Sequence, residues 1–342
     1  MIGAVSLLPF LHRVSSGEPL SLEDAHEAMS VLLEGSASES LIAAFLVALK
    51  MKGETADELA GFARAMRERV IPVDAGENVV DTCGTGGDGR GTFNISTVAA
   101  IVMAGAGARV AKHGNRSISN TGAGSAEVMQ ALGVRFAMTP EDASRAVREI
   151  GLGFLFAPNL HPAMKHAQPV RRELKMRTVF NLLGPLANPA RAQRQVIGAP
   201  SPAAARIMAE ALAALGTRRS FIVHGQDGLD EISITAPTDV YEVCGGGVVK
   251  TMWTPEQFGV RRASLQDLKG GDAAANARIA REILDGAPGA ARDIVLVNAA
   301  AGLVAAGIAS EVRSAMGLAA QSIDSGAARS CLQELQKKFP AE

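Results

Sequence analysis

Apolar residues in the first 72 positions recur at helical spacing between polar caps, which predicts helices and no strand. "SLEDAHEAMSVLLEG" opens on Ser21 as a helix cap, has Asp24 three residues on, and stops at Gly35. "SESLIAAFLVALKMKG" repeats the design and stops at Gly53. "ETADELAGFARAMRERVIP" carries a capping box from Thr55 to Glu58 and sets Leu59, Phe62, Ala63 and Met66 on one face. Pro72 terminates that segment.

Beyond Pro72 the period changes. The short apolar runs in "NVVD", "ARVAKHG", "GLGFLFAP", "QVIGAP", "RSFIVHG" and "RDIVLVN" predict strands. Between them "ISTVAAIVMAGAG", "SAEVMQALG" and "SPAAARIMAEALAALG" predict helices. Strand–helix alternation predicts an α/β domain with a mainly parallel central sheet. "DVYEVCGGGVVKTMW" predicts a β-hairpin insertion, and "PVRRELKMRTVFNLLGPLANP" an amphipathic helical stretch returning to the small domain. The expected division is residues 1–72, with roughly 170–192, as a small all-helical domain, and 73–169 with 193–342 as a large α/β domain.

Composition narrows the partners. The 342 residues carry a net charge of −1, so there is no global electrostatic case for nucleic acid or an anionic membrane. An anionic ligand would need a local site. The apolar stretch 98–108 is too short to span a bilayer. The stretch 294–309 is interrupted by Asn298 and reads as a buried strand running into a buried helix. No basic leader with a cleavage site is recognised. Cys83, Cys244 and Cys331 lack metal-type spacing, which suits a reducing compartment and a cytoplasmic protein.

Four motifs carry candidate chemistry. "DTCGTGGDGRGTFNIST" places Gly84, Gly86, Gly87, Gly89 and Gly91 between a predicted strand and a predicted helix. Such a loop lets backbone N–H groups converge on an anion beside a helix N-terminus. Asn94, Ser96 and Thr97 fall where side chains would cap that helix or bind oxygens. The loop is neither a Walker A loop nor a dinucleotide fingerprint. "KHGNRSISNTGAGSAE" sets Lys112 and Arg116 in a Gly/Ser loop, a second anion site. "HGQDGLDEIS" offers Asp230 and Glu231 as oxygen ligands for Mg²⁺. In "NLHPAMKHAQPVRREL", Arg171 and Arg172 follow His161, and a guanidinium there would hold a carboxylate. Each motif also has a plainer reading as a tight turn, a solvated turn or a basic helix face.

Taken in order, "DTCGTGGDGRGTFNIST", "KHGNR", "HPAMKHAQPVRREL" with "RTVFNLLGPLANP", and "VHGQDGLDEIS" resemble the anthranilate phosphoribosyltransferase family. The resemblance extends from the N-terminal helices past residue 260. It implies a fold of the nucleoside phosphorylase and class II phosphoribosyltransferase kind. It implies transfer of phosphoribose from phosphoribosyl pyrophosphate (PRPP) to the amine of anthranilate, with Mg²⁺, two ions per site, in a homodimer joined through the helical domain. Carried over, PRPP would be bound by Gly84, Gly87, Asp88, Thr92, Asn94, Ile95, Ser96, Thr97, Lys112, His113, Gly114, Asn115, Arg116, Ser119 and Ser125. Anthranilate would meet Gly84, His113, Asn115, His161 and Arg171, and the metal would meet Ser96, Asp230 and Glu231.

The arylamine is unprotonated near neutral pH, so positioning and charge stabilisation suffice, with no covalent intermediate and no obligatory acid or base. The segment after "KHGNR" departs from the family: Asn120 follows Ser119, and "TGAG" makes the loop one residue longer. Three alternatives remain at this stage: a relative with another aromatic acceptor, a pyrimidine nucleoside phosphorylase, and a non-catalytic nucleic-acid-binding relative. The last expects a basic surface and loss of the metal carboxylates, neither of which occurs here.

Overall fold

The computed structural model describes residues 6–86, 88–117 and 122–341. The chain opens with α1 (Leu8–Ser15), α2 (Leu22–Leu33), α3 (Glu39–Lys52) and α4 (Ala56–Glu68). Ser21 caps α2 by accepting from Asp24 N, and Thr55 and Glu58 form the capping box that starts α4. Leu59, Phe62, Ala63 and Met66 are all buried.

The α/β part runs β1 (Val80–Gly84), α5 (Ile95–Gly105), β2 (Val110–Gly114), α6 (Ser125–Ala131), α7 (Pro140–Ile150), β3 (Leu152–Phe156) and α8 (Ala157–Leu160). Then come α9 (Gln168–Leu174), α10 (Phe180–Leu186), β4 (Arg194–Gly198), α11 (Pro202–Leu215) and β5 (Arg219–Gly225). The hairpin β6 (Thr238–Cys244) and β7 (Gly247–Trp253) follows, and α12 (Ala273–Leu284), α13 (Ala290–Ala306), α14 (Val312–Asp324) and α15 (Ala327–Lys338) complete the described chain.

The seven strands form one sheet in the order β3-β2-β1-β4-β5-β6-β7. The first five are parallel, and β6 and β7 are antiparallel at one edge. The hairpin is therefore an extension of the main sheet. Strand order reverses between β1 and β4, which opens a crevice at their carboxyl ends.

Two apolar clusters sandwich the sheet. One joins α5, α13 and the C-terminal helices to one face. The other joins α1–α4, α9, α10 and α11 to Ile197, Ile222 and Val243. The stretch "PVRRELKMRTVFNLLGPLANP" is two short helices, broken at Lys175, whose φ is +48°.

"RDIVLVN" corrects the sequence reading. It forms no strand but the front of the 17-residue helix α13, and residues 294–306 continue the same helix. A helix buried on all sides has an unbroken apolar pattern, so periodicity cannot separate it from a buried strand. The segment contains no glycine or proline before Gly302, which sits so close to Met103 of α5 that a Cβ would fall 2.4 Å from its sulfur. No helix among the described residues is long and apolar enough to cross a membrane.

Candidate active site

Four parallel strands end in glycine at the same edge: Gly84, Gly114, Gly198 and Gly225. Space is tight at all four, and at two of them the close neighbour is Asp230. A Cβ on Gly84 would stand 2.6 Å from Asp230 Oδ2, and one on Gly198 would stand 1.6 Å from the Asp230 carbonyl oxygen. Asp230 thus enters the crevice only because both neighbouring strands lack side chains there.

The glycine loop and the carboxylate turn lock together. Gly86 N donates to Asp230 Oδ2 at 3.0 Å, and Ser96 N donates to Glu231 Oε1 at 3.2 Å. The two carboxylates point to different partners, as adjacent residues do. Both are partly open to the crevice yet ringed by protein. Burial pushes the Asp230 carboxyl well up, with Asp88 adding repulsion. Burial and then Asp230 do the same to Glu231.

Lys112, in the middle of β2, is buried and donates to the Thr82 carbonyl at 2.6 Å and to Ser96 Oγ at 3.2 Å. Burial lowers its pKa, opposed chiefly by Asp81. Asp88 Oδ2, Thr85 Oγ1 and Thr97 Oγ1 are buried without a hydrogen-bond partner among the described residues. Oxygen donors and an uncompensated acidic group fit a hard divalent cation. No three His, Cys, Asp or Glu side chains among the described residues cluster closely enough to cage one. Such a set suits Mg²⁺, which commonly takes one or two carboxylates and completes its shell with water and substrate phosphate.

The second group lies beside it. His113 Nδ1 is 3.1 Å from the Gly184 carbonyl, and His113 Nε2 is 3.2 Å from His161 Nε2. Arg171 is half-buried with its guanidinium 5.2 Å from the Phe180 ring centre, and burial lowers its pKa. Arg172 is exposed. Asn115 is exposed and turns its Oδ1 to Arg116 N, while its carbonyl accepts from Ser125 Oγ. Arg116 stacks 4.8 Å from the Phe136 ring centre. Gly114 packs where a Cβ would strike Phe154 and Ser125, each at 2.5 Å. Thr92 pairs with Lys269, and Ile95 is a buried core residue. Gly87, Ser119 and Asn120 lie outside the described residues.

For Asn94 the structure decides against one of its two expected roles, helix cap. It starts α5, but its side chain makes no cap bond. Its Nδ2 donates instead to the Ala123 carbonyl at 2.9 Å.

Sequence reasoning missed the residues beneath the site. Asp81 is fully buried; it accepts from His113 N at 3.1 Å and from Asn188 Nδ2 at 2.8 Å. Asn188 Nδ2 also reaches the Ala111 carbonyl. Asn298, in the middle of α13, accepts from Ile232 N and donates to the Ile232 carbonyl, both at 3.0 Å. It thereby clasps the residue after Glu231. A lone buried asparagine inside an apolar helix was the one available signal.

Comparison with known proteins adds to this geometry. The a/b domain of a glycosyl transferase family matches residues 76–329, and the helical bundle domain of that family matches 8–70. The anthranilate phosphoribosyltransferase of Solibacter usitatus is 58% identical over 97% of this chain and 98% of its own length. That of Moorella thermoacetica is 51% identical over 95% of this chain and 96% of its own. The crystal structure of the Thermus thermophilus anthranilate phosphoribosyltransferase superposes with a TM-score of 0.89 at 44% identity, covering 96% of this chain and 98% of that one. The Saccharomyces cerevisiae enzyme in complex with PRPP and Mg superposes with a TM-score of 0.87 at 29% identity, covering 97% and 98%.

Proposed function

Because the chain belongs to the anthranilate phosphoribosyltransferase family, we infer that it transfers phosphoribose from PRPP to the amine of anthranilate. The products are N-(5-phosphoribosyl)anthranilate and pyrophosphate, in the second step of tryptophan biosynthesis. The observation that supports this most is the clasp of the glycine loop onto Asp230 and Glu231 through Gly86 N and Ser96 N.

PRPP would lie against the loop 84–97, including Gly87, with Lys112 and the segment 113–116, Ser119 and Ser125 on its other side. Lys112 would exchange its bonds to Thr82 and Ser96 for phosphate oxygens. Departure of pyrophosphate builds negative charge, which the loop N–H groups and the re-aimed Lys112 ammonium would stabilise. Asp230, Glu231 and the Ser96 hydroxyl would hold Mg²⁺, two ions per site. When bound, Mg²⁺ supplies further neutralisation of the leaving group. Arg171 would hold the anthranilate carboxylate, and Gly84, His113, Asn115 and His161 would line the ring. The amine lone pair then attacks the ribose carbon as the bond to pyrophosphate breaks, and the amine proton passes afterwards to the released pyrophosphate or to water. No covalent adduct on Cys83 is needed; burial pushes that thiol far up and leaves it un-ionised.

The same reading divides the chain into 1–72 with 170–192, and 73–169 with 193–342. The packing of α9 and α10 against α3 and α4 supports this. A homodimer through the helical part is supported by Leu8 and Met51, exposed apolar side chains on α1 and α3. Three free cysteines agree with a cytoplasmic setting.

The test is product analysis with PRPP and Mg²⁺ against a panel of aromatic amines, alongside phosphorolysis of pyrimidine nucleosides. The reading expects an anthranilate adduct and no phosphorolysis. A phosphorolytic product, or turnover of another arylamine in place of anthranilate, would overturn it.

A further inference from the structure

We propose that Asn276, on α12 and outside every motif that suggested the site, is a positioning residue for the PRPP pocket. It acts by fixing Asn94 through a one-way chain of amide hydrogen bonds. The chain is read from its ends. Gly271 N donates to Asn276 Oδ1 at 2.8 Å, Asn276 Nδ2 donates to Asn94 Oδ1 at 2.8 Å, and Asn94 Nδ2 donates to the Ala123 carbonyl at 2.9 Å. A backbone N–H only donates and a backbone carbonyl only accepts, so the two end groups fix both amides and neither can flip. Asn276 is 2% exposed, so water does not replace a lost partner there without rearrangement.

The chain ties together three segments far apart in sequence. Gly270 N donates to the Gly91 carbonyl at 2.9 Å, and Phe93 N donates to the Leu268 carbonyl at 3.2 Å. Thr92 and Lys269 form an antiparallel bridge. Residues 268–271 therefore run alongside the end of the glycine loop. A Cβ on Gly270 would fall 2.6 Å from Phe93 N and 2.7 Å from Asn276 Oδ1, so the approach requires glycine. Through Asn94 the same chain reaches Ala123, at the far side of the loop that follows Lys112. Each Asn94 polar atom keeps one free valence, a hydrogen on Nδ2 and a lone pair on Oδ1, held in a fixed direction. That is the preorganisation a phosphate or ribose hydroxyl needs.

The inference rests on PRPP binding at the glycine loop. The experiment combines PRPP calorimetry in Mg²⁺ with steady-state kinetics on Asn276→Leu, Asn276→Asp, Asn94→Ala and the Asn94→Ala/Asn276→Leu double variant. Asn276→Asp keeps the shape but turns an acceptor toward Asn94 Oδ1. Expected is at least a tenfold loss in PRPP affinity and in kcat/KM for PRPP in both Asn276 variants. KM for anthranilate at saturating PRPP stays within twofold. The double variant should be no worse than the poorer single variant, because both break one chain. PRPP affinity within twofold of wild type in folded Asn276 variants would overturn the proposal, and so would losses that multiply in the double variant. Equal loss toward both substrates would mark a structural role and overturn it too. Should Asn276→Leu not fold, Asn276→Ser takes its place in the cycle. Failure of the wild type itself to bind PRPP would instead strike the underlying reading of the glycine loop.

Discussion

His161 Nε2 lies 3.2 Å from His113 Nε2, and the polarity of that contact is set by a third group. His113 Nδ1 faces the Gly184 carbonyl, which can only accept. His113 therefore carries its proton on Nδ1 and accepts at Nε2, and His161 carries its proton on Nε2. Burial, with His161 adding to it, holds the His113 pKa down to about 3. Burial alone holds His161 at about 4. The rings next to the proposed anthranilate pocket are thus neutral throughout the physiological range.

A pH dependence of stability follows from these rings. Both folded values lie below the ordinary histidine value near 6.5, so the unfolded chain binds more protons below that pH. Stability is unaffected above about 6.5 and falls by a few kcal/mol as pH drops toward 4. Denaturant titrations from pH 7 to 4 in an Asp230→Asn/Glu231→Gln background, which removes the opposing carboxylate contribution, should show this slope, and adding His161→Gln should flatten it. An unchanged slope in the variant would contradict the assignment.

The carboxylates give the opposite sign. Asp230 and Glu231 have raised folded values, so their protonated forms are the stable ones in the ligand-free protein. Their contribution is present below about pH 4 and is lost as pH rises through the folded values. Asp230→Asn/Glu231→Gln should therefore melt a few degrees higher than wild type at pH 8 without Mg²⁺. The same variant should lose turnover by about a hundredfold or more. Thermal melts with and without Mg²⁺ check this: added Mg²⁺ should raise the wild-type midpoint and leave the variant unmoved.

Gly198→Ala and Gly84→Ala separate fold from site. The Gly198 Cβ would overlap the Asp230 backbone oxygen, so destabilisation of about 2 kcal/mol or more is expected. At Gly84 the clash is with a side-chain oxygen, which can swing away. Gly84→Ala should fold near normally and bind PRPP at least tenfold more weakly in Mg²⁺, read by calorimetry. Normal PRPP affinity in that variant would argue against Asp230 as a metal ligand.

Asn298→Ala leaves the Ile232 N–H and carbonyl without their side-chain partner. About 2–3 kcal/mol of stability should be lost. The Mg²⁺ concentration for half-maximal rate should rise, because Glu231 is no longer held. A stability loss with an unchanged Mg²⁺ requirement would confine Asn298 to the core.

The helical segments were legible because their signals are local. Ser21, and Thr55 with Glu58, announce helix starts within three residues. "RDIVLVN" misled because a helix buried on every side shows no period. The glycine loop and the Asp230–Glu231 pair were legible as composition. Their mutual clasp was not, since Gly86 and Asp230 are 144 positions apart. Asp81, Asn188, Asn276 and Asn298 were illegible for the same reason. Each is a single polar residue whose partners are distant in sequence; Asn298 stood out only as a break in an apolar run, and no pattern pointed to what any of the four holds.

The most direct test of the central claim is anthranilate fluorescence on mixing enzyme, PRPP and Mg²⁺, with the Asp230→Asn/Glu231→Gln variant as control. The account predicts rapid loss of fluorescence with wild type, none without PRPP, and at most a hundredth of the rate with the variant. Undiminished fluorescence with active, PRPP-bound wild type would contradict anthranilate as the acceptor. Equal rates for wild type and variant would contradict the metal site.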